Sequence, residues 1–361
     1  MLIQTKILKN ALSKIIGLIP VKPSIPILDN VVLKCKGNFM GISGTDLEIY
    51  GNAIIPVEGA KDEYFCLNAK RLYDTVKMID AKDEEIEFIL KEKFKLTIKT
   101  LKGEYKLTAE NPDDFPLMPD EKKLKALPNF LDKAKKVVYA CSQDDLRPAM
   151  TGVLISEDVI ATDGHVLSFC SLIEGQKDED LSLLKGTNIL VPQKVLNLVL
   201  KSASENAGIF ANEKYIRFDF KNSDFEYTIF SKLIDETYPN YKAVLPKDYS
   251  NRIWVNRIEL LKSIQRLSLF SSSTTHQIKI EFSENMKISA LDFDMGAEAN
   301  ETLNVKCEGD NMEVGLNANY AIQTLQAMQD EEIMIEYDTP IKAVVLEGKE
   351  HKCIIMPVRL N

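Results

Sequence analysis

One sequence pattern occurs three times along this 361-residue chain. In each copy a strand ends at a turn-forming residue and continues directly into an amphipathic helix. The three copies span residues 65–79, 189–203 and 314–328. Asn68, Pro192 and Asn317 occupy the junction, so successive copies are 124 and 125 residues apart. A period this long indicates repeated whole domains rather than a solenoid of short units.

Other landmarks keep the same spacing and order. An amphipathic helix opens each repeat, at residues 6–18, 130–142 and 256–268. Strand–turn–strand patterns follow at 31–43, 152–163 and 278–292, and later strands match at 104–109, 226–231 and 351–356. The tripeptide at 114–116 is matched at 237–239. We therefore predict an α+β protein of three similar domains, at residues 1–119, 120–247 and 248–361.

Composition excludes several classes of protein. At 45% apolar and 27% charged residues the chain has the composition of an ordinary globular protein. It has no run of 18 apolar residues, so we expect no membrane span, and its first residues do not have the pattern of a signal peptide. Scattered cysteines without a CxxC pair predict buried thiols in a reducing compartment and no zinc site. They are Cys35, Cys66, Cys141, Cys170, Cys307 and Cys353.

Charge is distributed unevenly between helices and strands. The chain carries a net charge of −9, which alone argues against a nucleic-acid partner. The six predicted helices (6–18, 69–81, 130–142, 193–204, 256–268 and 317–329) together carry +10, which leaves −19 for the remainder. The last helix has no charge and instead carries Gln323, Gln326 and Gln329.

The first helix indicates where this positive charge points. Its apolar residues form one face, Lys6 and Lys9 lie opposite that face, and Lys14 lies on the flank. Lysines often simply solvate the outer face of a helix. The absence of acids in this helix, and the positive sum over five helices, instead favour a polyanion whose phosphates are neutralised without base readout.

Catalytic chemistry has little support in the sequence. The chain has three histidines, and no phosphate-binding, dinucleotide-binding, serine-hydrolase or zinc-protease motif occurs. Asp163 and His165 could form a general acid/base pair. The alternative is a tight polar turn between two strands, with Gly164 at positive φ. The turn is favoured, because the first repeat has Asp46 at the equivalent place without a histidine. We expect no cofactor and no metal.

The chain ends in an apolar segment, at residues 353–361. Such a terminus is either a last core strand or part of a docking surface. Ile354 and Met356 fit the core, whereas Pro357, Val358 and Leu360 fit a docking surface better.

These residues carry a resemblance to a known family. TDGHVL (162–167), PNYKAVLP (239–246), NANY (317–320) and MPVRL (356–360) stand in the order and spacing of the bacterial DNA polymerase III beta subunits, the sliding clamps. KPSIPILDN (22–30) resembles a segment near the start of the same proteins. The chain is identified as a member of that family over its whole length.

The resemblance implies a fold, a function and partners. Three similar clamp domains place helices on the inside and antiparallel β-sheets on the outside, and two chains close head to tail into a ring around duplex DNA. Such a protein is a non-catalytic processivity factor. Its partners are duplex DNA, a second copy of itself, the polymerase III alpha subunit, the clamp loader, and other polymerases, ligase and mismatch-repair proteins. The implied location is the cytoplasm, at the nucleoid, with no membrane partner.

The resemblance also implies site residues. DNA contacts fall on lysines of the helices, on Lys22 near the start of the chain, and on Gln143 and Arg147 in the loop at 142–148. The helix lysines are Lys6, Lys9, Lys14, Lys70, Lys133, Lys136, Lys194 and Lys201. The dimer interface pairs Tyr105 and Leu107 with Leu269 and Phe270. A hydrophobic pocket for a short peptide comprises Met150, Thr162, Gly164, His165, Val166, Leu167, Pro239, Ala243, Val244, Asn317, Tyr320, Ile341, Ala343, Ile354, Met356, Pro357, Val358, Arg359 and Leu360.

This chain departs from its relatives at a few of these positions. Val166 stands where relatives often have arginine, and Ala243 where some have arginine. These differences would shift partner affinity. Pro148 and Ala149 stand where relatives often have aromatic residues. Two hypotheses from other classes remain open at this point: an enzyme that uses Asp163 and His165, and a trimeric three-domain adaptor with no role at DNA.

Overall fold

The computed structural model describes residues 1–79, 84–91, 95–116, 118–119, 123–172, 186, 188–202, 207–246 and 249–360. They form two compact units. Unit 1 comprises Met1–Asn129 with Asn197–Leu233, and unit 2 comprises Phe130–Leu196 with Ile234–Asn361. The middle sequence repeat thus contributes to both units, and its predicted end at 247/248 lies outside the described residues. None of the described helices is long and apolar enough to cross a membrane.

The helices confirm the sequence pattern. Across the described ranges they are α1 Thr5–Ile15, α2 Ala69–Met78, α3 Leu131–Val137, α4 Gln193–Ser202, α5 Arg257–Ser268 and α6 Ala318–Ala327. Helices α1 and α3 end sooner than predicted, because residues 16–18 and 138–140 tighten into a 3₁₀ turn. The predicted ends at residues 81 and 204 lie outside the described residues.

The strand-to-helix junctions have a local cause. The side chains of Asn68, Asn256 and Asn317 each accept a hydrogen bond from a backbone N–H in the first turn of the helix that follows. An asparagine N-cap satisfies a donor that the helix itself cannot, which stabilises a helix by about 1 kcal/mol. The repeated junction in the sequence is therefore a repeated helix cap, with Pro192 closing its strand in the middle copy.

The described strands are numbered in chain order. The first twelve are β1 Leu2–Gln4, β2 Asn30–Lys36, β3 Phe39–Thr45, β4 Ile49–Pro56, β5 Glu63–Asn68, β6 Glu85–Lys91, β7 Lys95–Lys99, β8 Glu104–Thr108, β9 Lys125–Leu127, β10 Gly152–Ile155, β11 Asp158–Thr162 and β12 Val166–Ser171. The others are β13 Ile189–Pro192, β14 Gly208–Ala211, β15 Tyr215–Lys221, β16 Glu226–Lys232, β17 Asn251–Asn256, β18 Gln277–Phe282, β19 Asn285–Asp292, β20 Ala297–Asn304, β21 Lys306–Glu308, β22 Met312–Asn317, β23 Glu332–Tyr337, β24 Val344–Glu347 and β25 Lys352–Ile355.

Unit 1 contains two antiparallel sheets. The larger has the order β5-β2-β3-β4-β16-β15-β14-β9, and the smaller has the order β1-β6-β7-β8. The larger sheet passes from the first repeat into the second where β4 pairs with β16, with Ala53 opposite Tyr227. Helix α1 packs on β3 and β4, and a Cβ atom built on Gly51 would collide with Leu18. The absence of a side chain at this glycine therefore lets helix and sheet approach closely.

Unit 2 likewise contains two antiparallel sheets, one large and one small. Its larger sheet has the order β13-β10-β11-β12-β25-β24-β23-β17-β21, and its smaller sheet the order β20-β19-β18-β22. The larger sheet passes from the second repeat into the third where β12 pairs with β25, with Leu167 opposite Ile354. Strand β8 in unit 1 and strand β20 in unit 2 each lie at the edge of a four-stranded sheet.

Candidate functional site

The turn between β11 and β12 is the most elaborately bonded part of the predicted pocket. The Asp163 carboxylate oxygen Oδ1 accepts hydrogen bonds from the backbone N–H groups of His165 (2.8 Å) and Val166 (2.9 Å). The Thr162 hydroxyl donates to the Val166 carbonyl at 2.7 Å and accepts from the Gly164 N–H at 3.1 Å. Gly164 has φ +94°, a conformation that other residues rarely adopt.

The same turn occurs in unit 1, between β3 and β4. There Asp46 Oδ1 accepts from the N–H groups of Glu48 and Ile49, and Thr45 bonds the carbonyl of Ile49. Leu47 takes the positive φ, +80°. The prediction that Asp163 belongs to a polar turn, with Gly164 at positive φ, is confirmed. The matching turn without a histidine speaks against an acid/base pair at this position.

Tyr320 fixes the outer side of the turn. Its hydroxyl donates to Asp163 Oδ2 at 2.7 Å, and its ring stacks on the His165 ring with centroids 6.1 Å apart. Burial, together with the Asp163 carboxylate, raises the pKa of Tyr320 to about 12, so the phenol stays protonated and remains a donor. Arg147 donates to the Asp163 backbone carbonyl at 3.1 Å and pairs with Asp144 at 2.9 Å.

The last strand brings the chain terminus to this turn. Ile354 is buried opposite Leu167, as predicted for a core strand. Met356 was predicted to join the core, and that prediction is wrong: its side chain is 45% exposed. The reason is that Met356 lies just past β25, and its N–H donates to the His165 carbonyl at 2.9 Å. This bond holds the methionine beside the turn and at the surface.

A buried hydrophobic cluster supports the exposed residues. Leu167, Ile354 and Val345 belong to it, and Ala343 packs against it. Tyr241 and Leu245, which flank the predicted pocket residues Ala243 and Val244, pack against the same cluster.

Two tyrosine hydroxyls at this hydrophobic cluster make hydrogen bonds to neighbouring segments. Tyr241 donates to Asp158 Oδ2 at 2.9 Å, and Tyr249, which lies in the cluster, donates to the backbone carbonyl of Ala343 at 2.5 Å. Several of the predicted pocket residues thus belong to or pack against a buried apolar cluster whose tyrosines are hydrogen-bonded.

The other predicted pocket residues occupy the rim or remain open to solvent. Val358 pairs with Gly315 through a 2.9 Å backbone hydrogen bond, and the Arg359 carbonyl accepts from Gln277. Val244 and Ile341 are exposed. Pro239, Met150, Pro357 and Leu360 are half-buried, Arg359 is exposed, and Asn317 caps α6. Every predicted pocket residue lies in unit 2. Asp163, which the sequence placed in the polar turn, joins them as a positioning residue.

The predicted DNA-contacting residues of unit 1 are mostly exposed. Lys6, Lys9, Lys22, Lys70 and Lys201 are exposed. Lys14 is half-buried, with its ammonium 5.6 Å from the centre of the Tyr227 ring.

Two predicted DNA-contacting lysines of unit 2 have a carboxylate partner. The ammonium groups of Lys133 and Lys136 lie 3.8 and 3.2 Å from the Glu350 carboxylate, and together they lower its pKa. The expected basic layer without paired carboxylates is therefore wrong at these two positions, because an acid remote in the sequence folds onto helix α3. Lys194 is exposed, and Gln143 donates to the side chain of Gln193 at 2.7 Å.

The predicted dimer residues present apolar surface. Tyr105 and Leu107 lie on the edge strand β8, and Tyr105 is exposed. Leu269 is 82% exposed and Phe270 is exposed directly after helix α5. No cluster of three or more potential metal ligands occurs among the described residues. The cysteines are free, and burial raises the pKa of Cys141 to about 12, so its thiol is unreactive at neutral pH.

Comparison with solved structures identifies the fold. A sliding clamp of Pseudomonas aeruginosa, crystallised with a ligand, superposes with a TM-score of 0.87 at 24% identity, covering 100% of this chain and 99% of that one. A sliding clamp of Bartonella birtlesii bound to griselimycin gives 0.89 at 19% identity, with the same coverage. The fold is therefore that of the sliding clamps.

Sequence comparisons identify the family. Residues 1–119, 127–240 and 242–359 match the N-terminal, central and C-terminal domains of the DNA polymerase III beta subunit. The Beta sliding clamp of Pseudomonas aeruginosa is 27% identical over 380 residues, covering 99% of both chains. The chain belongs to the DNA polymerase III beta subunit family, whose members are non-catalytic processivity subunits and not enzymes.

Proposed function

We propose that two copies of this chain join head to tail in a ring that encircles duplex DNA and tethers the replicative polymerase to it. The observation that carries this proposal is the uninterrupted succession of all three beta-subunit domains along one chain. A linked ring is retained by topology, so its contacts with DNA can be weak and blind to sequence. We assign the three domains to residues 1–119, 120–247 and 248–361.

The surface at the Asp163 turn is the docking site for partner peptides. Exposed Met356, Val244 and Ile341 offer apolar contacts, and the buried cluster of Leu167 and Ile354 supports the region from below. Such a surface suits a short extended peptide with a glutamine and two large apolar side chains. The polymerase III alpha subunit, the clamp loader, other polymerases, ligase and mismatch-repair proteins dock there in turn.

The lysines of the inner helices attract the duplex. Lys6, Lys9, Lys22, Lys70 and Lys201 are exposed and free to approach phosphates. The acidic remainder of the chain repels DNA from the outer surface. The ring works in the cytoplasm, at the nucleoid.

Apolar residues at the edge of unit 1 and beside helix α5 of unit 2 close the ring. Strand β8 carries Tyr105 and Leu107 at the open edge of its sheet, and Leu269 and Phe270 supply apolar surface on the partner copy. Covering an open edge with a second chain removes an aggregation hazard.

A primer-extension assay tests the function. The full-length chain is added with clamp loader, ATP and polymerase to a primed single-stranded circle, and product length is measured under single-encounter conditions. We expect products many times longer than those made by polymerase alone. Products of the same length, from a chain that sediments as a dimer, would contradict a processivity role and favour the adaptor hypothesis.

A further inference from the structure

The large sheet of unit 1 exposes apolar side chains on its outward face, the face turned away from helix α1. Gly44 of β3 faces the helix, since a Cβ atom built on it would lie 2.8 Å from Ile15. Side chains alternate between the two faces of a strand, so Phe39 of β3 points outward. Phe39 is 58% exposed, and its outward neighbours Ile54 of β4 and Tyr64 of β5 are 41% and 40% exposed.

Gly41 leaves a slot at the centre of this face. Strand pairing places Lys34 of β2 on one side of the glycine and Ile54 of β4 on the other. Phe39 and Ser43 precede and follow it on the same face of β3. The atoms nearest to a Cβ built on Gly41 lie at 3.5 and 3.8 Å, ordinary contact distances, so the space above the glycine is open. The walls stand about 10 Å apart, two strand spacings, which accommodates one leucine or phenylalanine side chain.

The outward face carries positive charge, although the whole chain has a net charge of −9. Lys34 and Lys36 are exposed, and no carboxylate of the described residues lies within 4.0 Å of either ammonium. The Lys34 ammonium lies 5.9 Å from the centre of the Tyr64 ring. The outward positions of the four strands β2, β3, β4 and β5 include no acidic residue.

Acidic residues at the margins of the face already have partners. Glu226 stands opposite Ile54 on the neighbouring strand β16, and its carboxylate pairs with Lys221 at 2.6 Å. Glu110 and Asp113 follow β8, and each accepts a hydrogen bond from an asparagine side chain, at 3.1 and 3.0 Å. The two lysines of the face therefore remain available to a ligand.

The third repeat provides an internal comparison for this face. The N-caps Asn68 and Asn317 end equivalent strands, and strand pairing extends the correspondence across both sheets. The positions of Lys34, Gly41, Ile54 and Tyr64 are held there by Glu281, Lys287, Thr302 and Glu313. The same face is thus polar in unit 2, and apolar and basic in unit 1. The fold does not require apolar surface at these positions, so its presence in one repeat indicates a partner.

We propose that the outward face around Gly41 binds an extended acidic segment of another protein, with one large apolar side chain of that segment in the slot. Charge complementarity selects the acidic partner, because Lys34 and Lys36 border the apolar surface and no acid stands among the outward residues. The inference goes beyond the clamp function. The face belongs to unit 1 and the Asp163 turn to unit 2, so a second protein can bind while the docking surface is occupied.

Fluorescence anisotropy with the full-length protein measures this binding. The probe is a fluorescein-labelled peptide of glutamates interrupted by two leucines that are separated by one residue. Two further peptides replace the leucines by serines or the glutamates by lysines. We expect saturable binding of the glutamate–leucine peptide and of neither other peptide. Absence of binding would overturn the proposal, and equal binding of the serine peptide would reduce it to attraction by charge and overturn the slot.

Two variants locate the bound peptide. Gly41→Val fills the slot, and the fold should be kept because a β-branched residue suits a strand. We expect it to weaken binding about tenfold, the effect of leaving one leucine side chain in water. Lys34→Glu changes an exposed side chain and should weaken binding about threefold to tenfold through charge repulsion.

Lys287→Glu is the matched control, because Lys287 is exposed and holds the position of Gly41 in the third repeat. It should bind the glutamate–leucine peptide as the wild type does. Thermal melting checks that each variant is folded. Wild-type affinity in folded Gly41→Val, or in Lys34→Glu, would overturn the assignment.

Competition distinguishes this face from the other surfaces of the protein. A glutamine-containing clamp-type peptide should not displace the acidic peptide, and Met356→Glu should bind it normally. Displacement, or loss of binding in that variant, would place the acidic peptide at the docking surface and overturn a separate site. Duplex DNA should not displace it either, since displacement would place the peptide on the DNA-contacting lysines. Primer extension by Gly41→Val should remain processive, so failure of this inference is distinguishable from failure of the clamp function.

Discussion

The hydroxyl of Tyr320 donates a 2.7 Å hydrogen bond to the carboxylate of Asp163. The two residues are 157 positions apart, one on helix α6 and the other in the turn before β12. The bond therefore ties the third repeat to the second within the proposed docking surface. The second carboxylate oxygen of Asp163 is already used by the turn itself.

Removal of this bond should weaken both folding and docking. We expect Tyr320→Phe to lower the free energy of unfolding by about 1.5–3 kcal/mol, the cost of one hydrogen bond to a charged group. We also expect peptide affinity to fall by about tenfold, or 1.4 kcal/mol. Calorimetry with a glutamine-containing clamp-type peptide measures the affinity. Tyr64→Phe is the control, because Tyr64 is exposed and far from the turn in sequence; unchanged affinity in Tyr320→Phe would contradict the role.

Met356 should be an energetic centre of peptide binding. A charged side chain there would be placed against the apolar part of the peptide, and we expect Met356→Glu to weaken binding by about a hundredfold, as at an interface hot spot. Since the side chain is 45% exposed, melting temperature and dimer mass should remain those of the wild type. Isothermal titration and sedimentation measure both.

Two comparisons sharpen the Met356 result. Met295→Glu alters an exposed methionine on the β19–β20 hairpin and should leave peptide binding intact. Leu167→Glu should instead unfold the protein, because Leu167 is 5% exposed and packs in the cluster under the surface. A loss of fold in Met356→Glu would place that residue in the core after all.

Acid should destabilise unit 2 through His351. This histidine is 2% exposed, its Nε2 lies 2.7 Å from the Ser168 hydroxyl, and its Nδ1 has no partner within the described residues. Burial, with Lys136 nearby, lowers the pKa of His351 from 6.5 to about 4. Between these values the unfolded chain binds the proton and the folded chain does not, so this contribution to stability is lost as pH falls from 6.5 to 4.

The size of this effect follows from the shift in the pKa. A difference of about 2.5 units corresponds to about 3 kcal/mol in the free energy of unfolding. Denaturant titrations at pH 7, 5.5 and 4 measure it. We expect His351→Gln to be less stable at pH 7 and to lose less stability on acidification than the wild type. Equal pH dependence in wild type and His351→Gln would contradict this account.

A side chain at Gly164 should lower the stability of the protein. Its φ of +94° is strained for alanine, and a new Cβ would lie 3.3 Å from the Arg147 guanidinium. We expect Gly164→Ala to reduce the free energy of unfolding by about 1–2 kcal/mol. Gly103→Ala is the control, since a Cβ there meets no atom within 4 Å. Equal stability of the two variants in chemical denaturation would contradict the strain.

The repeats made the local structure predictable. Asn68 and Asn317 begin their helices because an amide side chain at the N-cap accepts from N–H groups of the first turn, a local interaction that the sequence alone could locate. The pairing of Ala53 with Tyr227 was not predictable, because strands 174 residues apart leave no local periodicity in common. For the same reason the sequence did not reveal the Glu350 partner of Lys133 and Lys136.

At the proposed docking surface, residue type did not predict which side chains are exposed. Met356 follows three buried positions of β25 in an apolar run, yet at the end of the strand, where its N–H bonds the His165 carbonyl, its side chain is exposed. Burial at the end of a strand depends on what the chain packs against next, which hydrophobicity does not encode.

The claim that this protein encircles duplex DNA is tested most directly by comparing its retention on circular and on linear DNA. The protein is loaded by the clamp loader and ATP onto a nicked circle, and half of the sample is then cut once to make it linear. Bound protein is measured in both halves after gel filtration. We predict that protein stays on the circle and is lost from the linear DNA, because a ring slides off a free end. Equal retention on both shapes would contradict encirclement and indicate ordinary surface binding.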